Sequence, residues 1–97
     1  MKTPALVILA RILAKAEKRE LVLEELKKLI QPTRAENGCI SYVLHQDTEN
    51  INQFFFVEKW ESYDLWQIHM KNDMLAAYLK ATDGCVEEFV INQLNEI

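Results

Sequence analysis

Residues 53–60 read QFFFVEKW. In an extended chain successive side chains alternate, so Phe54, Phe56, Glu58 and Trp60 share one face and Phe55, Val57 and Lys59 the other. Just upstream, Asn37-Gly38 supplies turn residues that tolerate positive φ. After it, Cys39–Gln46 sets Ile40, Tyr42 and Leu44 against Cys39, Ser41, Val43 and His45. The polar stretch Asp47 to Asn52 between the two runs predicts a hairpin of strands two and three.

Working outward, residues 5–14 (ALVILARILA) form an apolar run with Arg11 as the sole charge, which suits a central strand buried on both faces and is read as strand one, although periodicity alone is also compatible with a helix. From Glu17 to Gln31, Val22, Leu26, Leu29 and Ile30 recur at helical spacing, so an amphipathic helix is expected there, stopped by Pro32. Ser62 is the expected N-cap of a second helix with Leu65, Trp66, His69 and Met70 along one side and Asp64 in its first turn. Asn72-Asp73 is expected to break and re-cap it before Met74–Lys80, and Gly84 to end it. Cys85 to Leu94 reads as strand four, with Val86, Val90 and Leu94 on one side and Phe89 and Ile91 on the other.

The order βαββαβ predicts an α+β, ferredoxin-like fold over residues 1–97 as a single domain. Right-handed crossovers place both helices on one face of a four-stranded antiparallel sheet. The strands carry apolar side chains on both faces, yet two helices cover only one. A soluble monomer rarely shows so much apolar surface to water, so the second face is expected to pack on a second copy, giving a symmetric homodimer. Strands two and four fall at opposite edges, too far apart for a Cys39–Cys85 disulfide.

Composition narrows the function. With 49% hydrophobic residues, 27% charged and two Gly, the 97-residue chain suits one ordered core with no room for a second catalytic domain. A net charge of -4 argues against nucleic acid or an anionic membrane as partner, despite the local cluster Lys15, Lys18 and Arg19. No run approaches the ~20 apolar residues of a membrane span. The residues 5–14 run lacks a signal-peptide cleavage site, and two cysteines without CxxC spacing suit a reducing compartment, so the cytoplasm is expected. Gly38 and Gly84 stand alone, so no phosphate-binding glycine loop is present. His45 and His69 lack metal-ligand spacing, and no metal site is expected.

His69 is the first choice for proton chemistry, because imidazole titrates near neutrality and this one faces the sheet that bears Glu58 and Trp60. A hydrogen-bonded structural histidine is the competing reading. Glu58, in line with Phe54, Phe56 and Trp60, needs a partner if buried: His69, a backbone donor, or an ion pair with Arg11. Tyr42, Phe56, Trp66 and Tyr78 are expected to line an aromatic pocket with a few polar tips, as small-molecule sites do. As single residues, Tyr42, Trp60, Trp66 and Tyr78 are more often core or interface.

The blocks ENGCISY (Glu36 to Tyr42) and FFFVEKWES (Phe54 to Ser62), with His69 nine residues after Trp60 and then NDML (Asn72 to Leu75), resemble the antibiotic biosynthesis monooxygenase superfamily, and within it the small quinol monooxygenases. The resemblance implies a dimeric α+β barrel that oxidises phenolic or quinol substrates with molecular oxygen and needs no flavin, metal or other cofactor. A mechanism compatible with these residues has His69 as base, Glu58 as its orienting group, and Trp60 and Tyr42 stacking on or hydrogen-bonding the substrate anion. Haem-degrading relatives carry Asn on the first strand where Ala10 stands here, and NDML lacks the second His common in the family.

Two other functions use the same features. RNA-recognition domains share βαββαβ order, but Lys59 replaces their last strand-three aromatic, strand one offers none, and the charge is negative. An isomerase of a small carbonyl compound, phosphorylated or not, or a non-catalytic ligand-binding dimer, would use the same pocket with His69 and Glu58.

Overall fold

The computed structural model describes residues 5–97. The apolar run becomes β1 (Leu6–Ala14), and the two halves of the expected hairpin become β2 (Cys39–Gln46) and β3 (Gln53–Trp60). The last strand is β4 (Val86–Asn95). They form one antiparallel sheet in the order β2-β3-β1-β4, the ferredoxin-like arrangement that the element order predicts.

Both expected helices exist, each in two pieces. The first, after a 3₁₀ turn at Ala16–Lys18, is α1 (Arg19–Lys28) and α2 (Ile30–Arg34). Pro32 does not stop the helix as expected. The break comes three residues earlier, where the Leu29 N–H donates to the Leu26 carbonyl and the turn tightens. Pro32 then falls in the first turn of α2, where a missing N–H costs nothing because those donors have no partner within the helix. The second helix is α3 (Tyr63–Met70) and α4 (Asp73–Ala81). Ser62 Oγ accepts from the Leu65 N–H at 3.2 Å and Asn72 Oδ1 from the Leu75 N–H at 2.7 Å, so both expected caps form.

Ile8, Ala10, Ile12 and Ala14 of β1 point to the helices beside Phe54, Phe56, Glu58 and Trp60 of β3, all buried. Val22 and Leu26 of α1 close the core over them. Each large apolar side chain buried this way contributes about 2 kcal/mol. Two irregularities alter the expected alternation. At the bulge between Cys39 and Ser41, Cys39 takes the inward position opposite Trp60 and Ile40 is left exposed, so Ile40 does not share a face with Tyr42. A register shift at Leu13/Ala14 pairs Val86 with Ala14, turning Val86 to the core beside Phe89 and Ile91, away from Val90 and Leu94.

Among the described residues, the other sheet face carries no helix. Val7, Leu9, Leu13 and Phe55 lie half-buried there, with Val43, Val57 (39% exposed), Val90 and Leu94 open to solvent. Arg11 is on this face, donating to Glu88 at 2.7 Å and to Gln53 at 2.8 Å. It therefore lies across the sheet from Glu58, and the anticipated Arg11–Glu58 ion pair does not form. Cys39 and Cys85 are both free thiols, on opposite sides of the sheet order.

Candidate active site

Ala10 makes room for the site. It sits in mid-sheet between Phe56 on β3 and Ile91 on β4, and its single methyl group leaves the space beneath α3 and α4 unfilled. A cavity of about 70 Å³ results, with Ala10 and Phe56 on its floor and Tyr42, Glu58, His69 and Tyr78 as its polar groups. Leu79 (55% exposed) and Phe89 (48% exposed) also line it and stand at its mouth.

His69 enters the cavity because the Ser62 cap fixes the phase of α3, which turns Trp66 and His69, three residues apart, to the sheet. Its ring is 2% exposed. Nδ1 donates to Glu36 Oε2 at 2.7 Å, and Asn72 Nδ2 donates to Glu36 Oε1 at 2.6 Å. A carboxylate only accepts, so Nδ1 carries the proton, and Nε2 is the nitrogen left to act in the cavity. Gly38 allows this approach. Its φ is +87°, and a Cβ there would lie 2.5 Å from Leu65 Cδ1, so α3 reaches the start of β2 only over a glycine.

The partner expected for His69 was Glu58; the structure gives Glu36 instead. Glu58 is 4% exposed, and its Oε1 accepts from Trp60 Nε1 at 2.9 Å, two residues along the same strand face. Burial pushes the Glu58 carboxyl up to about 7, the Trp60 hydrogen bond opposes this, and the Glu36 charge adds to it. Tyr42, opposite Glu58 in the register, stacks on Phe56 with centroids 4.2 Å apart. Burial, and then the charge of Glu58, hold its phenol far above the ordinary range, and burial pushes Tyr78 up to about 12. Both therefore stay hydrogen-bond donors at neutral pH.

Of the residues singled out from sequence, Tyr42, Phe56, Glu58, Trp66, His69 and Tyr78 come together around this cavity. Trp60 does not join them. It stands behind the wall, its ring 4.8 Å from that of His69 and its N–H committed to Glu58. Trp66 is buried with its indole N–H unpartnered. Among the described residues, no three His, Cys, Asp or Glu side chains converge as a metal site requires. Glu36 escaped sequence reading because it lies in a turn outside any period and 33 residues from His69. The one local signal was its place beside Asn37-Gly38.

A profile of the family described as "Antibiotic biosynthesis monooxygenase" matches residues 5–81, which span β1 through α4 and include Tyr42, Phe56, Glu58, Trp66, His69 and Tyr78. The chain belongs to the antibiotic biosynthesis monooxygenase family. It is similar to the Bacillus subtilis protein named "Putative monooxygenase YcnE", at 38% identity over 66% of this chain and 67% of that one. It is also similar to the uncharacterized protein sll1783 of Synechocystis, at 32% identity over 68% of this chain. The match spans less than half of that protein, 45% of its length. The crystal structure of PA3566 from Pseudomonas aeruginosa superposes with a TM-score of 0.95 at 27% identity, covering 100% of this chain and 98% of the other. The family's description and the name of the Bacillus subtilis relative support a monooxygenase-like function. No helix among the described residues is long and apolar enough to cross a membrane.

Proposed function

We propose that the cavity binds an electron-rich hydroxyarene of the quinol kind and that the chain oxidises it with molecular oxygen, His69 Nε2 taking the hydroxyl proton. The observation that carries this reading is the Glu36–His69 pair set at a largely apolar cavity whose other polar groups are Tyr42, Glu58 and Tyr78. Triplet oxygen reacts slowly with closed-shell molecules, but a phenolate can give it one electron. The phenoxyl and superoxide radicals then recombine to a ring peroxide. The proton held on His69 returns to the peroxide, the ring carbon that bears it gives up its own hydrogen as the O–O bond breaks, one oxygen atom stays on that carbon as a carbonyl, and the other leaves with the two hydrogens as water. Glu36 orients the imidazole and stabilises the imidazolium formed. The Tyr42 hydroxyl donates to the developing oxyanion, and Phe56 offers its ring for stacking. Trp60 supports His69 and Glu58 from behind.

We further propose that the bare sheet face pairs with a second copy. Leu9, Phe55, Val57 and Val90 give it an apolar centre, and a two-fold contact would bury that centre symmetrically. Two free cysteines are consistent with the reducing cytoplasm as its compartment.

Metal-stripped protein mixed with a panel of quinols in an oxygen electrode should consume oxygen above a boiled control, and His69→Ala should consume none. Equal uptake by His69→Ala would eliminate His69 as the base.

A further inference from the structure

We propose that Glu58 makes this site selective for neutral ligands and excludes anions of the same shape; this rests on the reading of the cavity as a binding site. The groups that face Glu58 decide the matter. From β2 come the Tyr42 hydroxyl, directly opposite in the register, and the Cys39 thiol; from the turn before β2 comes the Glu36 carboxylate. His69 contributes from α3 and Tyr78 from α4 across the cavity, while the β1 partner, Ile8, is apolar. Among the described residues, no Lys or Arg lines the cavity. Lys59 and Arg11 lie on the opposite sheet face, and Arg34 is spent behind the wall, its Nε donating to the Tyr42 carbonyl at 3.0 Å. Among the described residues lining the cavity, His69 is the one able to become a cation, and it already shares a hydrogen bond with Glu36.

An anionic ligand therefore meets the Glu58 carboxyl, with the Glu36 carboxylate behind His69, and no free positive charge among the described residues, in a place where burial weakens solvent screening. The carboxyl of Glu58 titrates near neutrality, pushed up by its burial and by Glu36, so it can sit as a neutral acid beside an uncharged ligand. In that form it offers a proton to an acceptor oxygen such as a quinone carbonyl. Once ionised, it repels. The same geometry turns away a phosphorylated or carboxylated substrate, which narrows the substrate class to uncharged, oxygen-bearing aromatics.

Two rings of near-identical shape test this: 4-hydroxybenzamide, which is neutral, and 4-hydroxybenzoate, which is an anion across the range used. Binding is read by quenching of tryptophan fluorescence from about pH 5.5 to about pH 8. In the wild type the amide should bind at least about tenfold more tightly near pH 8, and the gap should shrink as the pH is lowered. In Glu58→Gln the gap should be smaller and flat with pH. Benzoate binding as tight as the amide near pH 8, or the same pH-dependent gap in Glu58→Gln, would overturn the proposal. Should Glu58→Gln fail to fold, the wild-type pH series still decides, since a gap that does not widen as pH rises refutes it. Selective binding without oxygen uptake would leave this selectivity standing and sink only the oxidation. Failure of both rings to bind would remove the binding reading and this inference together.

Discussion

Glu58→Gln should change how the stability of the fold depends on pH. In the folded chain the buried carboxyl is pushed from 4.5 to about 7. Between those values the unfolded chain has released its proton and the folded chain still holds it. The unfolded state then binds fewer protons, so stability falls as pH rises, and the loss is complete once the folded carboxyl has also ionised. At ~1.36 kcal/mol per pH decade, the displacement corresponds to about 3 kcal/mol lost between roughly pH 4.5 and pH 7. Glutamine keeps an oxygen for Trp60 Nε1 and cannot ionise. Whatever its offset at low pH, the variant should therefore gain about 3 kcal/mol on the wild type by pH 8, or on the order of 10 °C in melting temperature for a domain of this size. Thermal melts by circular dichroism at pH 5, 6, 7 and 8 measure the difference directly. Parallel curves for the two proteins would refute the reasoning, because they would mean that Glu58 is no harder to ionise in the fold than in the unfolded chain.

Further outcomes follow from the same geometry. Gly38→Ala forces a side chain into the left-handed region and to 2.5 Å from Leu65 Cδ1, and should cost about 2–4 kcal/mol in denaturant unfolding. Glu36→Ala strips the partners from His69 Nδ1 and Asn72 Nδ2 and should destabilise by about 2–4 kcal/mol. Its nitrogen NMR spectrum should also lose the single Nδ1-protonated state of His69. Ala10→Leu fills the floor of the cavity and should abolish ligand quenching of tryptophan fluorescence while costing about 1–3 kcal/mol. Val57→Glu, a charge at the centre of the bare sheet face, should convert a dimer to a monomer in sedimentation.

What the sequence disclosed depended on whether local patterning was left undisturbed. QFFFVEKW alternates without interruption, and its strand and both of its faces were legible residue by residue. The Ser62 and Asn72 caps were equally legible, because a cap is a local hydrogen bond with its own residue preference. The bulges were not. An extra residue inverts every side chain beyond it, and nothing in CISY or CVEE announces one, so Ile40 and Val86 were assigned to the wrong sides. Pro32 misled for a related reason: its effect depends on where a helix starts, and α2 starts two residues before it. The aromatic wall followed from alternation and helical spacing. The pairing of His69 did not, since Glu36 reaches it through a tertiary approach over Gly38 that no periodicity encodes.

In the proposed reaction His69 removes the proton before oxygen takes part. Under strict anaerobiosis, mixing the protein with a naphthohydroquinone should produce the red-shifted absorption of the bound anion in the wild type and not in His69→Gln, and admitting oxygen should bleach that band as the hydroxylated quinone appears. Oxygen uptake at the wild-type rate with the bound quinol still showing its neutral spectrum would contradict the account.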